Sequence, residues 1–269
     1  MLFGHGDDHY NSQKEVKINF SSNVWHGADL RTLREHLNEQ FYELTRYPEP
    51  DASSLKRLLA RCYEVEEENI VVTNGSITAF YLLAQTWKGA KSAIAVPSFA
   101  EYEDACRLHG HKVISIYSLD NLPGNARLVW LCNPNNPTGI LTPRSLLEQI
   151  LKKAEVCGIL LVLDECFLDF TDQESKSLIP QAVKSQHLFI LKSFTKMYAI
   201  PGIRLGYGIS GNKELIEKME KSGPCWNVSV LASEAGIAAL QEVEYCEQAR
   251  RLICREREKL KEGLKIFGF

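Results

Sequence analysis

The sequence has few of the features that mark nucleic-acid-binding, membrane-spanning or secreted proteins. Its 269 residues carry 31 Lys and Arg against 34 Asp and Glu, and the formal net charge of -3 gives no basic field for a nucleic-acid backbone or an anionic membrane. No apolar stretch approaches the roughly 20 residues that a membrane span needs. Residues 1–10 hold Gly, His and Asp where a signal peptide has a basic and then an apolar segment. We therefore expect a cytoplasmic protein that binds neither nucleic acid nor membrane.

Paired cysteines are also lacking, although the chain has 8 cysteines. They are scattered, with no CxxC pair and no spacing that would give a tetrahedral zinc site. We interpret them as reduced thiols and predict no bound metal. With 45% hydrophobic and 24% charged residues, the composition is that of a protein with a sizeable buried core.

Short apolar runs recur along the chain, and several are apolar almost throughout. They cover residues 70–73, 93–96, 113–116, 128–132, 159–163, 188–191 and 205–209. Runs of this kind are typical of strands buried on both faces, and amphipathic segments between them indicate helical crossovers. Helix starts are predicted at Ser53 and Ser54, at Ser76, and at Thr142-Pro143. The pattern predicts an α/β fold with three α/β/α layers and a mainly parallel sheet of about seven strands.

The chain becomes strongly charged from residue 242 onward. Lys, Arg and Glu side chains surround a few apolar ones, which predicts one long, largely solvated helix. A basic patch for nucleic acid is the alternative, and the interleaved Glu residues argue against it.

A lysine after a buried strand is the pattern that most suggests catalysis. The segment Ser193-Phe194-Thr195-Lys196 follows the run 188–191, and Arg204 comes soon after. A desolvated lysine beside other cations is neutral at a lower pH and can attack an aldehyde, as a Schiff-base lysine must. Ser193 and Arg204 offer a hydroxyl and a guanidinium group to a phosphate. The alternative is a surface lysine and an arginine in a salt bridge.

A carboxylate closes the run 159–163 in the segment Leu163-Asp164-Glu165. Burying an unpaired charge is costly, so such a carboxylate should have a partner. A protonated ring nitrogen is one, and Asp164 would then keep the ring of a cofactor electron-poor. The alternative is an Asp that caps the following turn.

Two further turns follow predicted strands, at the edge where open α/β sheets bind ligands. Asn136 lies in the polar segment 132–139, whose prolines restrict its path. At Gly75 a strand passes into a helix, where the amides of Ser76 and Ile77 would face an anion. An ordinary turn is the alternative for both segments.

Phe99 and Tyr102 follow another predicted strand and offer an aromatic face to a ring. A place in the core is the alternative for either side chain. The combination of an amine, a carboxylate, an amide, an anion cradle and an aromatic ring at one sheet edge is more specific than any of its parts.

These segments resemble those of a known family. NPNNPTG, DECF, SFTKMYAIPGIRLGY and the NGS turn, together, resemble fold-type-I pyridoxal-phosphate enzymes of the class I/II aminotransferase family over nearly the whole chain. The resemblance implies pyridoxal 5'-phosphate as cofactor, Lys196 as Schiff-base lysine and catalytic base, Asp164 on the pyridine nitrogen and Asn136 on the ring hydroxyl. It implies Gly75, Ser76, Ile77, Ser193 and Arg204 at the cofactor phosphate and Phe99 stacked on the ring.

The resemblance also implies a homodimer. In this family the Tyr of an Arg-Tyr-Pro segment reaches the cofactor phosphate of the partner subunit, and Arg46-Tyr47-Pro48 matches that segment.

Two groups within the family are most similar to this chain: the threonine-phosphate decarboxylases of cobalamin biosynthesis and the histidinol-phosphate aminotransferases. The segments 5–8, 20–23, 99–102 and 195–202 look like the decarboxylases, and the aminotransferases usually have Tyr where Phe167 stands. By this similarity His5, Asn23 and Asn136 would hold the substrate. A non-catalytic binding protein on the same fold is the alternative of another class.

The family pattern also suggests how the chain is organised. We expect an arm over residues 1–30 that contributes to the substrate site, a large cofactor-binding domain over 31–241, and over 242–269 a connecting helix and the start of a small C-terminal domain. Family members carry substrate-binding arginines in that small domain, and none can be assigned here.

Overall fold

A seven-stranded sheet forms the centre of the part of the chain that the computed structural model describes, namely residues 16–120, 122–171 and 177–268. Its strands are β1 (Ile70–Thr73), β2 (Lys91–Ala95), β3 (Lys112–Ile116), β4 (Leu128–Cys132), β5 (Leu160–Asp164), β6 (Leu188–Ser193) and β7 (Gly206–Ile209). They lie in the order β1-β7-β6-β5-β4-β2-β3, and only β7 runs antiparallel to its neighbours. All seven strands coincide with predicted runs to within two residues at each end.

Nine α-helices accompany the sheet within the same described residues. They are α1 (Arg31–Glu39), α2 (Ser53–Tyr63), α3 (Ser76–Thr86), α4 (Glu101–Leu108), α5 (Arg144–Cys157), α6 (Ile179–Ala182), α7 (Lys213–Ser222), α8 (Val230–Gln241) and α9 (Val243–Lys265). Short 3-10 helices lie at Gln40–Thr45, Glu67–Asn69, Leu168–Phe170 and Pro201–Ile203.

The helices cover both faces of the sheet. Along β5, Leu161 and Leu163 point into a core shared with α2, α5, α6 and α8, whereas Leu160 and Val162 point into a second core shared with α3, α4 and α7. Every residue of β4, β5 and β6 is buried, because side chains alternate between two covered faces. The prediction of a three-layer, mainly parallel α/β fold is therefore confirmed.

The helix starts differ in detail from the prediction. Ser53 and Ser76 are the first residues of α2 and α3, the cap positions belong to Ala52 and Gly75, and neither helix has a side-chain cap. The prediction of serine caps there was wrong, because Ser54 is engaged by Glu49 and α3 begins on a glycine with positive φ. Side chains do cap α7 and α8, where Asn212 and Ser229 accept from backbone amides.

The charged C-terminal segment forms one helix, α9, as the sequence predicts. Its early turns contact the body of the protein: the Tyr245 hydroxyl donates to the Met197 carbonyl at 3.0 Å, and the Tyr198 and Tyr245 rings stack at 6.0 Å. Among the described residues, none of the helices combines the length and the apolar character that crossing a membrane would require.

Candidate active site

The sheet brings the predicted site segments to one edge. β4, β5 and β6 run in the same direction, and the register pairs Cys132 with Asp164 at their carboxyl ends. Antiparallel β7 begins at this edge, where Gly206 pairs with Ser193 of β6 and with Thr73 of β1. The segments around Asn136, Asp164, Lys196 and Ser76 all leave the sheet there, so the topology produces the clustering that the sequence predicts.

Asp164 is buried, and its carboxylate accepts hydrogen bonds from a tyrosine hydroxyl and from a backbone amide. The Tyr102 hydroxyl donates to Oδ2 at 2.6 Å, and the backbone amide of Cys166 donates to Oδ1 at 2.9 Å. Only 6% of Asp164 is exposed. A carboxylate oxygen can accept more than one hydrogen bond, so both oxygens can still accept from a further donor.

The two aromatic candidates occupy different places. Tyr102 is 1% exposed, stacks on Trp130 with centroids 5.7 Å apart, and belongs to the core beneath the site. Phe99 is only partly buried and meets the Tyr102 ring edge-on at 5.9 Å. Of the two, Phe99 alone has a ring partly accessible to a ligand.

An anion cradle forms where β1 passes into α3. Gly75 has φ +77, and a Cβ atom there would lie 2.4 Å from Nη2 of Arg204. At Gly206 a Cβ atom would lie 2.4 Å from the backbone nitrogen of Ser76. The lack of a side chain at Gly75 makes room for the Arg204 guanidinium, and the lack of one at Gly206 lets β7 approach the first turn of α3. Burial lowers the pKa of Arg204, yet an arginine remains charged at neutral pH.

The cradle combines a guanidinium with the amino end of a helix, and both attract anions. Ser76 and Ile77 are the first two residues of that helix and are half-buried. Nη1 of Arg204 is held by the carbonyl of Pro201 at 3.0 Å, which fixes the direction of the fork.

The lysine segment follows β6 and carries two hydroxyl groups. Ser193 and Thr195 are buried, and their hydroxyl oxygens lie 2.8 Å apart. Lys196 is half-buried, with Nζ 6.0 Å from the centre of the Phe167 ring, and Phe167 follows Asp164 in the β5 segment. The backbone carbonyl of Lys196 accepts from the amide of Trp25 at 3.1 Å, so the arm before α1 contacts this segment.

The loop after β4 is held by its own asparagines. Oδ1 of Asn133 accepts from the amide of Thr142 at 2.7 Å, and Nδ2 of Asn135 donates to the carbonyl of Pro97 at 3.0 Å. The second bond joins this loop to the segment that carries Phe99. Asn136 lies between these anchors and is half-buried.

The remaining predicted residues do not lie on the segments that leave this edge of the sheet. Asn23 is exposed and lies just before Trp25. Tyr47 is 79% exposed and stacks on Trp226 with centroids 4.5 Å apart. His5 lies outside the described residues.

Sequence reasoning missed a hydrogen bond to Asp164 and a buried ion pair in the neighbouring strand. It proposed Tyr102 only as a stacking candidate, whereas the structure uses its hydroxyl on Asp164. It also overlooked Lys192, which is 3% exposed and pairs with Asp169 at 2.7 Å, near buried Glu165. A lysine inside an otherwise apolar strand was the available clue, because a buried lysine needs a carboxylate partner.

The donor set fits pyridoxal phosphate. An anion cradle suits the phosphate, a buried carboxylate with spare lone pairs suits a pyridinium, and a half-buried lysine suits an aldehyde. All three kinds of group lie on segments that leave the same edge of the sheet.

Comparisons with known proteins agree with this arrangement. A family model described as aminotransferase class I and II matches residues 15–269. The threonine-phosphate decarboxylase of Salmonella typhimurium is 32% identical over 84% of this chain. The crystal structure of L-threonine-O-3-phosphate decarboxylase from Porphyromonas gingivalis superposes with a TM-score of 0.77 at 37% identity, covering 83% of this chain and 69% of that one.

A second kind of relative matches more of this chain at lower sequence identity. The structure of the histidinol-phosphate aminotransferase from Clostridium acetobutylicum has a TM-score of 0.83 at 30% identity and covers 93% of this chain and 77% of that one. The chain belongs to the class I and II aminotransferase family, which comprises enzymes that use pyridoxal phosphate. Relatives of this chain include enzymes named threonine-phosphate decarboxylase and others named histidinol-phosphate aminotransferase, and the chain spans 65% of the length of the Salmonella decarboxylase.

Proposed function

We propose that this protein is a pyridoxal-phosphate-dependent decarboxylase of L-threonine O-3-phosphate, as in cobalamin biosynthesis, which releases CO2 and (R)-1-amino-2-propanol O-2-phosphate. The observation that carries the cofactor proposal is the sheet edge from which the Asp164, Lys196 and Gly75–Arg204 segments all emerge. The choice of reaction is supported by the relatives named threonine-phosphate decarboxylase.

The residues of the site would divide the cofactor between them. The cofactor phosphate would be bound by a guanidinium, a hydroxyl and the amino end of a helix. Arg204 would supply the guanidinium, Ser193 the hydroxyl, and Gly75 with the amides of Ser76 and Ile77 the helix end. Asp164 would hold the proton of the ring nitrogen, Asn136 would donate to the ring hydroxyl, and Phe99 would pack on the ring face. Lys196 would bind the aldehyde carbon through its amine, with loss of the aldehyde oxygen as water.

Bound pyridoxal phosphate supplies an electron sink for the pair left behind when a bond at the substrate Cα breaks. The orientation in which the protein holds the substrate would select the Cα bond that breaks. Loss of the substrate carboxylate as CO2 would leave an electron pair at Cα, and this carbon would then take up a proton. Lys196 would donate that proton through its amine. His5, Asn23 and Asn136 would hold the phosphate and carboxylate ends of the substrate.

A homodimer completes the proposal. Tyr47 would reach the cofactor phosphate of the partner subunit, and its ring is exposed on this chain. Phe41 and Tyr42, in the preceding 3-10 helix, are exposed as well, at 61% and 67%. Trp226, on which Tyr47 stacks, is 48% exposed, and exposed aromatic side chains are enriched in protein interfaces.

Substitution of the lysine tests the cofactor assignment. Protein incubated with pyridoxal phosphate and desalted should be yellow, and Lys196→Ala should lose the absorbance of the lysine-bound cofactor. Lys184→Ala removes an exposed lysine and should keep it. Unaltered absorbance in Lys196→Ala would exclude Lys196 as the cofactor lysine.

The substrate assay separates the two candidate reactions. The decarboxylase should release CO2 from threonine phosphate with no keto acid present. Amino-group transfer that requires 2-oxoglutarate and yields no CO2 would instead establish the aminotransferase, which the similarity to the Clostridium acetobutylicum enzyme favours as second candidate. Cofactor binding without either reaction would indicate a binding protein on this fold.

A further inference from the structure

The Tyr102 hydroxyl donates to Oδ2 of Asp164 at 2.6 Å, and both groups are buried. The Tyr102 ring cannot easily turn away. It stacks on Trp130 at 5.7 Å and meets the edges of Phe80 at 5.0 Å and Phe99 at 5.9 Å. The donor is therefore fixed before any ligand arrives.

The surroundings of this pair keep the tyrosine protonated. Burial, followed by the charge of Asp164, raises the pKa of Tyr102 well above its usual range. Burial likewise raises the pKa of Cys132 to about 12 and that of Cys166 well above its usual range. At neutral pH both thiols and the phenol are neutral, so Tyr102 acts only as a donor toward the carboxylate.

The hydrogen bond from Tyr102 to Asp164 influences where a proton lies when a ring nitrogen binds at this carboxylate. A ring nitrogen and a carboxylate can share one proton in two ways, as pyridinium with carboxylate or as neutral pyridine with carboxylic acid. Burial favours the neutral pair, because both charges lose their hydration. A hydrogen bond donated to the carboxylate favours the charged pair.

We propose that Tyr102 is a positioning residue that keeps the proton on the cofactor ring nitrogen by stabilising the charged form of Asp164. This inference rests on the proposed function, since it needs a pyridine nitrogen at Asp164. It assigns to the hydroxyl a task that the ring alone cannot perform, because phenylalanine would fill the same space in the core.

The test uses pyridoxal phosphate labelled with 15N at the ring nitrogen, whose chemical shift reports its protonation. In Tyr102→Phe the ratio of protonated to unprotonated nitrogen should fall about tenfold, as expected for losing one hydrogen bond to a charged group. Tyr81→Phe is the matched control, because the Tyr81 hydroxyl donates to a carboxylate oxygen of Glu101 at 2.8 Å. That variant should leave the ring-nitrogen shift unchanged.

The possible results distinguish the role of Tyr102 from the proposed function. An unchanged shift in Tyr102→Phe, with cofactor bound as in the wild type, overturns the role of Tyr102 and leaves the proposed function standing. If the wild type does not bind the cofactor through Lys196, the proposed function fails and this inference fails with it.

A second variant covers the case in which Tyr102→Phe does not fold. Incorporation of 3-fluorotyrosine at position 102 keeps the shape of the side chain and makes the phenol a stronger donor. The ring-nitrogen shift should then move toward the protonated value, and movement toward the unprotonated value would overturn the inference.

Discussion

At the scale of single residues, Gly75 offers a way to disturb the anion cradle without removing a charge. In Gly75→Ala the new Cβ atom would lie 2.4 Å from Nη2 of Arg204 and displace the guanidinium. The backbone at φ +77 and ψ 155 also disfavours any residue other than glycine. We expect a loss of roughly 1–3 kcal/mol of stability and about tenfold weaker binding of pyridoxal phosphate, as for one lost charged hydrogen bond.

Gly89→Ala is the matched control for this variant. Gly89 has φ +78, and a Cβ atom there would meet nothing within 4 Å. Its stability should fall by about 1 kcal/mol because of the backbone alone, while cofactor affinity stays at the wild-type value. Equal cofactor affinity in the two variants, measured by fluorescence titration, would show that the cradle does not bind the phosphate.

Lys192 should stabilise the folded protein rather than bind the cofactor. Although burial opposes it, the charge of Asp169 raises the pKa of Lys192, and burial raises the pKa of Glu165. Lys192→Met leaves both carboxylates without their cation, and we expect a loss of about 3 kcal/mol at neutral pH. The exposed pair of Lys221 with Glu217 is the comparison, and Lys221→Met should change stability by less than about 1 kcal/mol.

The pH dependence of Lys192→Met follows from the same shifts. A lysine with a raised pKa stabilises the fold below its ordinary pKa of 10.5, and this contribution is lost only as pH rises through the higher folded-state value. Without Lys192 the raised pKa of Glu165 should rise further, so the variant should recover stability as pH falls and Glu165 takes up a proton. The free energy of unfolding in urea would be measured for the variant and the wild type. A difference between them that stays constant from neutral to acidic pH would contradict this account.

The sequence predicted Asp164 and Arg204 at this sheet edge because Asp164 ends one strand and Arg204 lies just before another, and strand ends are visible in the apolar pattern. The bond from Tyr102 to Asp164 is not visible in that way. It depends on how α4 crosses the sheet, which brings together residues that are 62 positions apart. For the same reason the pairing of Lys192 with Asp169 required the packed structure.

At the scale of elements, the central strands should carry most of the stability. Leu161 of β5 is 0% exposed and lies between β4 and β6, so Leu161→Ala should cost about 2–5 kcal/mol through lost burial and the cavity left behind. Leu260 of α9 is 63% exposed, and Leu260→Ala should cost no more than about 0.5 kcal/mol. Urea unfolding of the two variants, followed by circular dichroism, measures the difference.

The strands were predictable because burial on both faces makes each one an almost unbroken apolar run. The positions at which α2 and α3 start were predictable, but the residues that cap them were not. A serine near a helix start can be the cap or the first helical residue. The direction of β7 could not be predicted either, because a run buried on both faces looks alike whichever way the strand points.

At the scale of the whole molecule, exposed aromatic side chains predict where two subunits meet. Tyr47 and Trp226 stack on each other and are 79% and 48% exposed, and Phe41 and Tyr42 of the preceding 3-10 helix are exposed as well. Sedimentation should therefore show a dimer. If Tyr47 serves the partner's site, a variant of Tyr47 and a variant of Lys196 damage opposite sites when they share one dimer.

Subunit mixing tests that geometry directly. Tyr47→Phe dimers should bind the cofactor weakly, and Lys196→Ala dimers should lack the lysine-bound absorbance. After equal amounts are unfolded and refolded together, half of the dimers are mixed, and each mixed dimer regains one intact site. About a quarter of all sites should then bind the cofactor tightly and show the lysine-bound absorbance. If the mixture shows only the average of its two parents, Tyr47 acts within its own subunit, because no mixed dimer would then unite an intact Tyr47 with an intact Lys196.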